Sequence, residues 1–237
     1  MYLLFDGEGL LRQAVLLCGG KGVRLRPLTD TVPKVMVRIA GKPVVEYLVE
    51  KLEALGVEDI ALVVSYKKEV IVDYFKDRVK YCEQAHPMGT ADALYAAKGF
   101  VKYDKFAVMN GDLFFTDDLR WMHNEDPVVL SVYRVKDASQ YGIVEVEGEV
   151  VKDIKEKAGK GPGLINAGVY LFSKDIFDAL EHVKLSERGE YELTDAVKEL
   201  LRRGVKVKAK ELKGYWRDIG RLSDLEMVEG YLNLSKN

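Results

Sequence analysis

Three glycines in four positions, Gly19, Gly20 and Gly22, follow the apolar run Gln13 to Leu17, with Lys21, Arg24 and Arg26 interleaved or just beyond. Glycine at this density lets a backbone turn sharply and brings its N–H groups close to an anion. The pattern is not GxxxxGK[ST], and Leu25 stands where a dinucleotide-binding fingerprint has its third glycine. Taken alone, the loop reads as well as a tight turn with solvated basic residues. Val32-Pro33 holds the chain extended ahead of Lys34 and presents that ammonium rigidly, which suits a triphosphate whose charge grows at the leaving group. Asp112, after Asn110-Gly111, and Asp218, after Trp216-Arg217, end strand-like runs. Two such carboxylates suit Mg²⁺, a hard cation that favours oxygen ligands and substrate phosphates. Singly, each has a simpler reading, as a turn aspartate or a helix N-terminal charge.

Positioning these groups requires strands that end at them. Short apolar runs at residues 13–17, 59–64, 79–82 and 105–110 alternate with amphipathic stretches at 43–55, 67–75 and 89–98. Strand–helix alternation at this spacing predicts a parallel sheet with right-handed crossovers. Residues 128–134, 143–146, 150–154 and 164–172 are strand-like with no helix between them, which predicts antiparallel pairing. Helices are expected again at 175–182, 192–203 and 222–234, and strands at 205–210 and 215–218. The fold class expected is therefore α/β: a single Rossmann-like domain over residues 13–237 with a mixed, mostly parallel sheet, preceded by an extension at 1–12. The alternating Lys206, Lys208 and Lys210 read as the wet face of a strand, in keeping with edge protection.

The 237 residues are 48% hydrophobic and 31% charged, an ordinary globular composition. With 36 Lys and Arg against 38 Asp and Glu, the chain lacks the basic excess of a nucleic-acid binder. No apolar run is long enough for a membrane span, and two cysteines, Cys18 and Cys82, make no disulfide framework, so a reduced, cytoplasmic setting is expected. His86, His123 and His182 lack metal-ligand spacing. Nothing in the sequence decides between a monomer and a homo-oligomer.

The run GGKGVRLRPLTDTVPK resembles the signature GGxGTRLxPLTxxxPK of the sugar-1-phosphate nucleotidylyltransferases. The resemblance continues in order through Gly89-Thr90, Asn110-Gly111-Asp112, Tyr141-Gly142, Glu156-Lys157, Asn166-Ala167-Gly168 and Trp216-Arg217-Asp218-Ile219-Gly220. It implies the nucleotidyltransferase fold and an enzyme that uses Mg²⁺, a nucleoside triphosphate and a sugar 1-phosphate. By the same resemblance Arg24, Lys34 and Asp112 are catalytic, and Asp112 and Asp218 hold the metal. Gly19, Gly20, Gly22, Gln84, Gly89 and Thr90 meet the nucleotide, while Gly142, Glu156, Lys157 and Asn166 meet the sugar phosphate. Cys18, Val23, Val35 and Ala158 depart from the residues common at their positions, without removing a charged group. Lys157 also sits in a lysine-rich stretch that a solvated hairpin would explain. The Gln-x4-Gly spacing of Gln84 resembles the thymidylyl- and uridylyltransferase pattern. A glutamine amide offers a donor and an acceptor to the O4 and N3–H edge of uracil or thymine, so UTP or dTTP is expected over GTP. The competing readings are a guanylyltransferase acting on a mannose-type 1-phosphate, a non-catalytic binding relative, and a glycosyltransferase; the last does not call for the glycine loop with its Pro-Lys. No hexapeptide repeat follows residue 230, so no β-helix acyltransferase domain is expected.

Overall fold

The computed structural model describes residues 9–156 and 161–235. Gln13–Leu17 (β1) lies at the centre, and all five of its residues are buried because helices cover both faces of the sheet around it. Arg38–Ile39 (β2) and Lys42–Pro43 (β3) form a small hairpin that leads into Val44–Ala54 (α1). Helix α1 stops at Gly56, where φ is +84° and the Val57 N–H reaches back to the Leu52 carbonyl at 3.1 Å. Asp59–Val64 (β4), Lys68–Phe75 (α2), Lys80–Glu83 (β5), Thr90–Ala96 (α3) and Lys105–Asn110 (β6) complete the alternation. In space these strands run β5-β4-β1-β6, parallel throughout.

The chain then forms Leu113–Phe115 (β7), the short helix Trp121–Asn124 (α4), Val129–Val135 (β8), Gly142–Glu147 (β9), Val150–Glu156 (β10) and Gly163–Ser173 (β11). Ile176–Leu180 (α5), Leu193–Arg202 (α6), Lys208–Glu211 (β12), Trp216–Asp218 (β13) and Leu222–Leu234 (α7) follow. The large sheet continues as β6-β11-β8-β12-β10-β9, with β11 antiparallel to β6 and β8 and with β10 antiparallel to β9. The sheet is mixed α/β as expected, but it is not mostly parallel: its first half is parallel and its second largely antiparallel, because among the described residues no crossover helix separates β8, β9, β10 and β11.

Alternation along β1 divides the core. Ala14 and Leu16 face a layer that includes Leu48 and Leu52 of α1 and Ile71 and Phe75 of α2. Val15 and Leu17 face Leu94 of α3, Phe177 of α5 and Leu200 of α6. A third cluster joins Leu25, Ile39 and Phe114 to Leu225 and Val228 of α7. Among the described residues no helix is long and apolar enough to cross a membrane.

The structure differs from expectation at identifiable places. Leu11 is buried in the core and the Arg12 carbonyl accepts the N–H groups of Glu58 and Asp59, so packing reaches back into the expected extension. The strand expected at 205–210 begins at Lys208, because the Val205 N–H still bonds back to the Leu200 carbonyl to finish α6. Strand β12 is no edge: it lies between β8 and β10, and Lys208 is paired with Glu125. The strand β7 was not foreseen; it pairs antiparallel with β13 in a two-stranded sheet of its own.

Trp216 ties that small sheet to the large one. Its Nε1–H donates to the Ala167 carbonyl at 2.9 Å in the interior, and its ring packs on Tyr133 and Tyr141. Trp216→Phe keeps an aromatic ring but leaves a dry carbonyl without a donor, so urea unfolding should show a loss of about 1–3 kcal/mol.

Candidate active site

The glycine loop leaves β1 at Cys18, whose N–H bonds to the Val63 carbonyl at 2.8 Å. Gly22 has φ +66°, and a Cβ there would stand 2.8 Å from the Cβ of Lys34. The loop therefore lies directly on the lysine, and only glycine allows that approach. Thr29 fastens the return, its hydroxyl donating to the Gly22 carbonyl at 2.8 Å. Pro33 is extended, with ψ 157°, and Lys34 begins a tight 3-10 turn.

Lys34 points between two carboxylates. Its Nζ bonds to Asp112 and lies 3.5 Å from Oδ1 of Asp218. Asp112 is delivered by the end of β6: the Gly111 N–H bonds to the Leu17 carbonyl at 2.9 Å, and a Cβ on Gly111 would be 2.8 Å from that carbonyl oxygen. Asp218 is delivered by β13, which pairs with β7 so that Asp218 lies opposite Leu113. The Ile219 N–H closes the junction on the Asp112 carbonyl at 2.9 Å.

The electrostatics follow from that crowding. Burial, and then the neighbouring Asp112 charge, raise the Asp218 carboxyl to about 6. Burial opposes the charge on Lys34, but Asp112 and Asp218 outweigh it and hold the ammonium above its usual range. Burial, with Asp112 second, pushes the Cys18 thiol far up, so Cys18 is an inert core residue. Oδ1 of Asp218 is buried without a hydrogen-bond partner. Among the described residues no group of three acidic, His or Cys side chains forms a self-sufficient metal cage. Two carboxylates with an unsatisfied oxygen suit Mg²⁺, which takes few protein ligands and completes its shell with water and substrate phosphates.

A cleft of about 450 Å³ opens beside this group, lined by Gly19, Gly20, Gly22, Lys34 and Asp112. Gln84, Gly89 and Thr90 line it too, so the structure gathers the nucleotide residues expected from the sequence. Gly89 has φ +113°, and a Cβ there would be 2.4 Å from the Tyr191 carbonyl oxygen. The Tyr191 backbone laces this wall, donating to Met88 at 2.7 Å and accepting from Ala91 at 2.9 Å. The Thr90 hydroxyl accepts the Leu193 N–H at 2.9 Å. Arg24 is not in the cleft lining: its Nη2 lies near Gly220, 3.1 Å from where a Cβ on that glycine would stand. Lys21 lines the cleft, as do Asn110 and Glu190, which sequence reasoning left without a role. Asn110 stood within a recognised block; nothing in its spacing marked Glu190, which arrives from a hairpin bridged at Leu185 and Tyr191.

The residues expected to meet the sugar phosphate form a separate group. Gly142 of β9 is the register partner of Glu156 in β10, and Ile143 pairs with Ile165 of β11, beside Asn166. Three strands thus bring Gly142, Glu156 and Asn166 to one end. The Asn166 amide spans the β11 bulge, donating to the Tyr170 hydroxyl at 2.8 Å and accepting the Gly168 N–H at 2.9 Å. Tyr141, next to Gly142, packs edge-on against Trp216 of β13, and burial and then the Asp218 charge raise its phenol. Lys157 lies outside the described residues.

A family model described as Nucleotidyl transferase matches residues 13–233. The chain belongs to the nucleotidyl transferase family. It is 46% identical over 223 residues to the Bifunctional protein GlmU of Methanocaldococcus jannaschii, covering 92% of this chain and 54% of that protein. It is 39% identical to the D-glycero-alpha-D-manno-heptose 1-phosphate guanylyltransferase of Campylobacter jejuni, covering 88% of this chain and 94% of the relative. A solved Bacillus anthracis protein, provisionally assigned as a glucose-1-phosphate thymidylyltransferase, superposes with a TM-score of 0.84 at 26% identity, covering 93% of this chain and 94% of that one. The chain spans about half the length of the GlmU relatives it matches. As a member of this enzyme family it has the nucleotidyltransferase fold expected from the sequence.

The raised Asp218 carboxyl has a consequence for stability. The folded protein holds this proton more tightly than the unfolded chain does, so the contribution of Asp218 is lost as pH rises from about 4 to about 6. In metal-free buffer Asp218→Asn should melt above the wild type at pH 7 and lose that advantage near pH 4. Melting curves across this range check it.

Proposed function

We propose that the protein transfers a nucleotidyl group from a nucleoside triphosphate to a sugar 1-phosphate. The observation that carries this reading is Lys34, held against Asp112 and Asp218 at the cleft lined by the glycine loop. A phosphate oxygen of the sugar 1-phosphate attacks the α-phosphorus; the bond from that phosphorus to the β-phosphate bridging oxygen breaks, and pyrophosphate leaves. Such a transfer depends on positioning and charge stabilisation, and it requires no covalent enzyme intermediate. The loop N–H groups cradle the phosphates, and Lys34 stabilises negative charge as it moves toward the leaving group. Arg24, outside the lining, adds positive potential at the Gly220 corner. Asp112 and Asp218 would hold Mg²⁺, which when bound supplies charge neutralisation across the phosphate oxygens. Gly142, Glu156 and Asn166, with Lys157, receive the sugar phosphate.

UTP or dTTP is the favoured donor. The support is the spacing of Gln84 to Gly89, which resembles the thymidylyl- and uridylyltransferase pattern; both N–H groups of the Gln84 amide are engaged within the protein, on Gly89 and Asp92. The contact it offers a base is therefore through Oε1, which takes the N3–H of uracil or thymine; the O4 contact expected from its N–H has no free donor there. The same acceptor takes the N1–H of guanine, and the Campylobacter relative is named a guanylyltransferase. A guanylyltransferase is accordingly the second reading.

Pyrophosphate release measured across five nucleoside triphosphates and a few sugar 1-phosphates tests the assignment. On the first reading UTP or dTTP should outperform GTP by a factor of about ten or more, a difference of about 1.4 kcal/mol. Gln84→Glu should erode that preference, and a wild type that prefers GTP would establish the second reading.

Activity should vanish with chelator and return with Mg²⁺. Asp112→Asn and Asp218→Asn should each reduce kcat by a few orders of magnitude, as expected where charge stabilisation carries the reaction. Unchanged turnover in either variant removes that residue from the metal site.

A further inference from the structure

Gln84 is almost fully buried, and its backbone N–H is anchored on the Val64 carbonyl at 2.9 Å. Its side-chain Nε2 donates to Oδ2 of Asp92 at 2.7 Å and to the Gly89 carbonyl at 3.2 Å. The amide oxygen is thereby turned to the opposite side, toward the glycine loop, where a Cβ on Gly19 would lie 2.6 Å from Oε1. Among the described residues no hydrogen bond takes up that oxygen. The two ends of a glutamine amide are nearly equal in shape, so their partners decide which end faces where. An ionised aspartate only accepts hydrogen bonds, and so does a carbonyl. A flipped amide would set Oε1 against two acceptors and lose both bonds.

We propose that Asp92 is a positioning residue that fixes the Gln84 amide with its oxygen toward the cleft and so makes the base site select a ring N–H over an unprotonated ring nitrogen. Uracil and thymine carry that donor at N3 and guanine carries it at N1; cytosine N3 and adenine N1 are acceptors and would meet oxygen with a lone pair. The inference rests on the reading that this cleft takes the nucleotide base. Asp92 lies in the first turn of α3, one helical step beyond the Gly89-Thr90 corner, and its carboxylate reaches Gln84 from behind the cleft lining. Selection among bases would then come from a residue that touches no base.

The test is binding of UTP and CTP with Mg²⁺ to the full chain by titration calorimetry, which needs neither turnover nor sugar phosphate. Wild type should bind UTP at least about ten-fold more tightly than CTP. In Asp92→Asn the new amide can turn its N–H toward Gln84, which allows the flip and should cut the UTP-to-CTP ratio by about ten-fold. Asp92→Ala removes the partner but leaves the Gly89 carbonyl opposing the flip, so its effect should be smaller. Asp92→Glu keeps an acceptor and should restore preference. Both neutral variants remove the same negative charge from the start of α3, so a merely structural role predicts equal losses of melting temperature and an unchanged ratio. An unchanged ratio in Asp92→Asn, or equal ratios in the Asn and Ala variants, overturns the proposal. A wild type that binds CTP as well as UTP overturns it together with the base assignment. Selective binding without pyrophosphate release would instead sink the proposed reaction and leave the role of Asp92 standing.

Discussion

The ammonium of Lys34 lies between two carboxylates that would otherwise repel each other in a partly dry site. Asp112 and Asp218 come from strands far apart in the chain, and β7 pairs with β13 only if those charges tolerate being neighbours. The lysine makes that tolerable, and it does so from beneath a loop whose Gly22 has no room for a side chain. One cation thus links the glycine loop, the end of the central sheet and the late strand that completes the cluster. Burial first, and the Asp112 charge second, still hold the Asp218 carboxyl above its usual range.

Strain of this kind is a usual mark of a working site: stability is given up where charge must be concentrated. The surroundings offset it with ordinary packing. Trp216 hydrogen-bonds across to Ala167, Gly111 lies flush on the β1 carbonyl edge, and α7 covers the small sheet through Leu225 and Val228. The group around Gly142 is built by another means, from the register of three strands rather than from buried charge. The expected roles at Gly142, Glu156 and Asn166 therefore depend on backbone pairing more than on electrostatics.

Much of this was legible in the sequence. The glycine cluster, Pro33-Lys34 and the strand-ending aspartates each reflect a local constraint, and local constraints leave local patterns. The helix and strand alternation was readable for the same reason, because period and turn residues act within a few positions. What could not be read was set by pairing across the chain. Strand β7 has three residues and no alternation to reveal it, and its partner lies more than a hundred positions later. The alternating Lys206, Lys208 and Lys210 read as an edge because a wet face is all the pattern shows; the strands that flank β12 are chosen by topology. The Gln84 amide was legible as a residue type but not as an orientation, since Asp92 and the Gly89 carbonyl decide that only once α3 is in place. Arg24 was placed by its motif, yet the 3-10 turn after Gly22 directs it to the Gly220 corner.

The backbone lacing at Tyr191 bears on how the molecule comes into being. Thr90 and Leu193 are joined across 103 residues, and Lys34 and Asp112 across 78. Contacts that close such long loops are entropically expensive to form early and so tend to be made late. During synthesis the parallel half-sheet has all its own strands well before the far wall of the cleft exists, and a ligand would find only part of a pocket. A ligand seated in that cleft would consequently stabilise the full fold over any shorter intermediate, acting as a clasp between its early and late segments.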